Sequence, residues 1–253
     1  MITREQIRFL SKKKKTNESV IFREYLQLFF LSELCSQKQN RNIFFKGGTA
    51  LHLIYKAPRF SEDLDFTVEL KEKDFLNFAQ KLFDQISKRE AVKFKERKSL
   101  AGKRFLLTAT PTILPYEVFI NLDFSFREKI IQPEKSVIET DYPVLFTSYI
   151  YHLSKDEMFA EKIRALLSRT KGRDLYDLWY LATQGARINK DLVRKKLEYY
   201  HLEKIKKEEI LERIERFSKK NFILDLRPFV SLDEREKLGD FFDFIKDYLK
   251  KSL

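Results

Sequence analysis

Phe45-Lys46-Gly47-Gly48-Thr49-Ala50-Leu51, followed by Arg59-Phe60-Ser61-Glu62-Asp63-Leu64-Asp65-Phe66, is the stretch whose reading decides the fold. Two glycines between an apolar strand and a helix let backbone amides approach an anion closely, and the helix start adds its partial positive charge. Thr49 adds a hydroxyl at the same end. Glycines punctuate turns everywhere, so Gly47 and Gly48 alone are weak evidence. Asp63 and Asp65 add more. In a strand, residues i and i+2 project from one face, so both carboxylates point the same way while Leu64 and Phe66 pack behind. Two adjacent anions repel unless a cation sits between them. Mg2+ prefers such hard oxygens and leaves room for substrate phosphates. The competing reading is an edge strand showing two solvated acids, with Arg59 as a partner.

Working outward, Val118-Phe119-Ile120-Asn121-Leu122-Asp123-Phe124 is strongly apolar yet interrupted by Asp123. Beside the Asp63–Asp65 strand, Asp123 would complete a two-metal site for in-line displacement at phosphorus, with Asn121 on its face by parity. At a strand end it would simply meet solvent. Further on, Met158, Lys162, Ala165 and Arg169 recur at 3–4 residue steps, so Lys162 and Arg169 share a helix face and need anionic company near a core. That company is either a triphosphate or the acids Asp174 and Asp177 of the next helix, which would then bind two helices together.

Around these segments the chain reads as α+β. One amphipathic helix spans Glu18 to about Gln37, after a Lys12–Lys15 tract expected to be a solvated linker. A helix follows from Ala50 to Tyr55, and another from Asp74 to Lys88. Strands are expected at Ile43–Phe45, Leu64–Leu70, Ala91–Lys98, Lys103–Thr110 and Glu117–Phe124, with Ala101-Gly102 as a hairpin turn. This is a small mixed sheet with helices on one face. After Ser154, whose pattern with Glu157 fits a capping box, everything reads as helical: Met158 to about Arg169, Asp174–Gln184, at least two more over Asp191–Lys219 and Leu232–Leu249. Glu198–Arg216 reads as a helix with a solvated face. The expected division is 1–151, an α/β domain with N-terminal helices, and 152–253, a helical domain.

Composition narrows the function classes. In 253 residues, 24 Phe and 11 Tyr supply a real core, which excludes wholesale disorder. The single cysteine, Cys35, excludes an intramolecular disulfide, and with three histidines it cannot build a zinc finger. No apolar run reaches the roughly 18 residues of a membrane span, and Met1–Leu10 lacks a signal peptide's apolar stretch. The expectation is a cytoplasmic protein without a membrane partner. A net charge of +12 favours an anionic partner.

Together these segments resemble the AbiEii/AbiGii-type nucleotidyltransferase toxins, relatives of the DNA polymerase β superfamily. Gly47-Gly48-Thr49-Ala50-Leu51 with Arg59 to Phe66 is similar to that family's first motif. Glu161-Lys162-x-Arg164-Ala165-Leu166 resembles its lysine helix, and Arg173-Asp174-x-x-Asp177-Leu178 its last motif. The resemblance implies a polymerase β-like nucleotidyltransferase domain followed by a helical domain that closes the active-site cleft. It implies Mg2+, as two ions, on Asp63, Asp65 and, more loosely, Asp123. Gly48 with Thr49 would cradle the nucleotide phosphates, with Ser61 nearby. Lys162 would neutralise the triphosphate, Arg164 would help it stabilise departing pyrophosphate, and Asp174 would be an essential acid. The implied activity moves a nucleoside monophosphate from an NTP to an acceptor, in some relatives the 3′ end of tRNA, within a toxin–antitoxin or phage-defence pair that includes an antitoxin protein. The +12 charge agrees with tRNA or another RNA. Two readings compete: transfer to a protein or small molecule on the same fold, and a non-catalytic basic RNA- or partner-binding protein.

Overall fold

The computed structural model describes residues 2–99, 102–201 and 206–253. The chain divides into two compact units, Met1–Lys56 with Phe60–Leu153, and Ala57–Arg59 with Ser154–Leu253.

In the first unit, α1 (Arg4–Lys13) and α2 (Glu18–Cys35) precede β1 (Ile43–Lys46), α3 (Gly47–Leu53), β2 (Leu64–Val68) and α4 (Glu72–Arg89). Strands β3 (Val92–Arg97), β4 (Lys103–Ala109), β5 (Val118–Ser125), β6 (Pro133–Ser136) and β7 (Ile150–Leu153) follow. The sheet is seven-stranded in the order β3-β4-β5-β2-β1-β7-β6. It is mixed, with β2 beside β5 and β1 beside β7 running parallel.

Helix α4 forms because Phe75, Phe78, Ala79, Leu82, Phe83 and Ile86 recur at helical spacing, and all six are buried. Glu72 and Asp74 at its start and Lys88 and Arg89 at its end suit the helix dipole. Its aromatic stripe meets one face of the sheet: Phe75 lies 4.6 Å from Phe124, and Phe83 stacks on Phe94 at 4.1 Å, ring centre to ring centre. Phe30 of α2 joins at 6.4 Å from Phe66. Burying each such ring contributes about 2–3 kcal/mol. The opposite sheet face is therefore the one left for polar groups on β3, β4 and β5.

Two expectations for this unit need correction, and a third falls partly outside the described residues. Lys12 and Lys13 close α1 rather than forming a linker, and Lys14 pairs with the buried Glu24 at 2.6 Å. The sheet gains β6 and β7, which the apolar pattern did not mark. Of the expected Ala101-Gly102 turn, Ala101 lies outside the described residues, while Gly102 has φ +85° and no room for a Cβ against the Phe124 carbonyl.

The second unit contains α5 (Lys155–Ser168), α6 (Gly172–Thr183), α7 (Lys190–Glu198), α8 (Lys207–Glu215), α9 (Lys219–Leu226) and α10 (Leu238–Ser252). Ser154 Oγ accepts the Glu157 amide at 3.1 Å, as its capping role requires. The Glu157 carboxylate turns to the fully buried Lys196, at 2.7 Å. Gly172 sits where α6 crosses α9 so closely that a Cβ would lie 2.7 Å from Phe222 Cα. Glu198–Arg216 is not one helix: α7 ends at Glu198 and α8 starts at Lys207. Among the described residues no helix is long and apolar enough to cross a membrane.

Candidate active site

Register brings the acids of the first unit together. Asp65 on β2 pairs with Asp123 on β5, Asp123 with Arg104 on β4, and Asp65 with Lys46 on β1. Directly paired residues share a face, so these side chains lie on the face opposite the aromatic core. Asp63, just ahead of β2, joins them: Asn121 Nδ2 donates to its Oδ1 at 2.9 Å. Lys46 is nearly buried, its Nζ 3.4 Å from Glu128.

The glycine turn is pressed against this acid row. Gly47 has φ +79°, open to glycine but strained for other residues. A Cβ there would run into the Asp65 carboxylate, with Asp65 Cγ at 3.0 Å. Gly48 and Thr49 are buried in the first turn of α3, which is only two turns long. The Thr49 hydroxyl donates to the Asp63 carbonyl, so its one proton clamps the strand approach rather than pointing at a ligand. Ser61 is half-buried, and the buried Gln27 of α2 pins its backbone. Gln27 Nε2 donates to the carbonyls of Ser61 and Glu62 at 3.1 and 2.9 Å.

Two residues missed by sequence reasoning matter here. Gln27 carries no local signal, being one of several polar residues in an amphipathic helix. Arg104 is distant in sequence from every motif, yet its Nε donates to Asp123 Oδ1 at 2.5 Å. The hydrogen bond to Asp123, then the charges of Asp123, Asp63 and Asp65, raise its affinity for its proton above that of an ordinary arginine.

The donor set fits a hard divalent cation in kind, because carboxylate oxygens are what Mg2+ takes and substrate phosphates complete its shell. It does not form a ready cage: among the described residues no three His, Cys, Asp or Glu gather closely enough to hold a metal ion. Asp123 is engaged by Arg104. Asp63 and Asp65 are thus the pair best suited to the ion, beside a turn where a Cβ would crowd Asp65.

The second unit holds a buried ionic cluster. Lys162 Nζ lies 2.9 Å from Asp174 and 2.6 Å from Asp177. Arg59 forks onto Asp177 at 2.5 and 2.6 Å, and Arg169 Nε reaches Asp174 at 2.6 Å. Burial works to raise both carboxyls, but the cations outweigh it and hold Asp174 and Asp177 below the usual carboxylate range. Burial likewise works to lower Lys162, and Asp177 with Asp174 reverses it. Arg164 is not part of this cluster. Two residues from Lys162, it faces elsewhere on α5 and lies over the Tyr200 ring, 4.4 Å from its centre.

The family described as nucleotidyl transferase AbiEii toxin, type IV toxin–antitoxin system, matches residues 30–250. No curated protein matches the chain. Among solved structures the chain is similar to JHP933 from Helicobacter pylori, with TM-score 0.58 and 21% identity, covering 93% of this chain and 95% of that one. It is also similar to the MenT4 nucleotidyltransferase toxin from Mycobacterium tuberculosis, with TM-score 0.65 and 18% identity, covering 98% and 90%. At these identities the likeness concerns the fold.

Proposed function

The chain belongs to the AbiEii family of nucleotidyltransferase toxins, and from that premise we propose that it transfers a nucleoside monophosphate from an NTP to the 3′ end of a tRNA, with Mg2+, in the cytoplasm. The family implies an NTP substrate and an antitoxin counterpart. The observation that carries the reading is the row of carboxylates Asp63, Asp65 and Asp123 on one sheet face, with the Gly47 turn closed against Asp65.

In this reading Asp63 and Asp65 hold Mg2+, which when bound draws charge off the α-phosphate. Asp123, aligned by Arg104, accepts the proton of the acceptor's 3′ hydroxyl. That oxygen forms a bond to the α-phosphorus as the bond to the β-phosphate oxygen breaks, and pyrophosphate leaves. The amides around Gly47 and Gly48 receive phosphate oxygens, while Thr49 and Gln27 keep the segment through Ser61 and Asp63 in place. Lys162 and Asp174 act within the second unit, where Asp174 keeps Lys162 and Arg169 charged and joins α5 to α6. Phage defence is the biological setting that fits such a toxin.

The test is incubation of the purified protein with each of the four NTPs, Mg2+ and a tRNA pool, followed by 3′-end sequencing. Added nucleotides at tRNA 3′ ends, dependent on one or a few NTPs and lost with a chelator, are the expected result. Unchanged 3′ ends, with label appearing in protein or small molecules of an extract, would replace tRNA as the acceptor.

A further inference from the structure

We propose that the outer strands of the sheet form a track for a single-stranded RNA acceptor: phosphates along Lys93, Lys95 and Arg97 of β3, a base on Phe119 of β5, and the reacting end at Asp123 and Asp65. This rests on the reading above that the acceptor is RNA, and it specifies where that RNA lies.

Strand β3 is an edge strand of the sheet. Val92 and Phe94 face the aromatic core, Phe94 stacking on Phe83. Alternation therefore turns Lys93, Lys95 and Arg97 to the opposite face, where all three are exposed. Glu96, the one acid in β3, points to the helix side, where Lys103 answers it at 3.3 Å. The outward face of β3 is thus purely cationic. Successive cations stand about 6.6 Å apart, two strand residues, a step comparable with the phosphate repeat of an extended single strand.

The ladder carries this face inward. Arg97 pairs with Arg104, Arg104 with Asp123, and Asp123 with Asp65. One row thus runs from the cationic edge to the carboxylates over three strand spacings, about 14 Å. A second row runs from Lys93 through Thr108 to Phe119. Phe119 is 45% exposed in a strand whose other aromatic, Phe124, is buried. It stands on the same face as Asn121 and Asp123, two and four residues along.

Lysines on an edge strand also discourage sheet-to-sheet aggregation. That purpose explains charge on β3 but not an exposed ring two strands inward, nor a row of charge that ends at the acids. A periodic polyanion with flat bases accounts for all three, since cations track the backbone and an aromatic face stacks a base.

The experiment compares wild type with K93S/K95S/R97S, with F119A, and with the conservative K93R/K95R, using labelled NTP, Mg2+ and tRNA across a salt series. The triple variant should raise the KM for tRNA at least tenfold, with kcat at saturating tRNA within twofold. The salt dependence of log KM should flatten by about 2, as expected when three single-strand phosphate contacts are lost. F119A should raise the KM about tenfold, the scale of one lost stacking contact. K93R/K95R should behave as wild type. If wild type labels tRNA but the triple variant keeps its KM and salt slope, the track is overturned and RNA transfer stands. If wild type labels only protein, the RNA reading itself fails, and the track with it.

Discussion

At the scale of single residues, Gly47 joins backbone to chemistry. Its positive φ and its contact with Asp65 come from one turn, so a side chain there is penalised twice. Gly47→Ala should lower stability by about 1–3 kcal/mol in chemical denaturation and cut nucleotide transfer at least tenfold by displacing the Asp65 carboxylate. Gly185→Ala is the control: φ is +78° there, but nothing lies within 4 Å of its Cβ position. It should show the strain without loss of transfer. Equal transfer by the two variants would mean that the turn does not set the carboxylate's position. Much of this was legible locally, because Gly47-Gly48-Thr49 and Asp63-x-Asp65 announce a tight turn and a shared strand face. The Thr49 hydroxyl was not, since its acceptor is a backbone carbonyl that only folding brings near. Arg104 was not either, because its meaning comes from register across two strands rather than from its neighbours in sequence.

At the scale of elements, apolar periodicity located α4 and β3 to β5, where a stripe of aromatic residues has one face to cover. It failed for β6, which starts at Pro133, has three of its four residues exposed and lies at the sheet edge. It also failed for the four-residue β7, too short to carry a period. Between α5 and α6 the sequence left Asp174 and Asp177 open between a ligand role and helix pairing; in the structure both contact Lys162. That cluster makes stability depend on pH in a definite sense. The lowered carboxyls contribute stability that is whole above their ordinary 3.8 and drains as pH falls through their lowered values. Lys162, raised, contributes stability that is whole below 10.5 and is lost as pH climbs through its raised value. Denaturation midpoints should hold level between these limits as far as this cluster governs them. Asp177→Asn strands Arg59 without its carboxylate and should cost about 3–5 kcal/mol at neutral pH, with a shallower decline below pH 3.8. An unchanged midpoint at neutral pH would show the cluster to be energetically idle.

At the scale of the whole molecule, the net charge of +12 is unevenly used. Within the second unit Lys162, Lys196 and Arg59 are spent on buried carboxylates, whereas the outward face of β3 presents its cations to solvent. Composition gives the sign of the net charge, and the sheet register gives the face on which β3 exposes it. Nucleotidyl transfer is the family's chemistry, and its seat in this chain is the claim on which the rest depends: Asp63 and Asp65 on the open sheet face. The most direct measurement is incorporation of α-labelled NTP into tRNA by Asp65→Asn beside wild type, with matched denaturation midpoints establishing that both are folded. The exchange removes one negative charge while keeping the side chain's size, so transfer should fall by at least a hundredfold with the fold intact. Transfer within a few-fold of wild type by the folded variant would contradict the assignment of the active site.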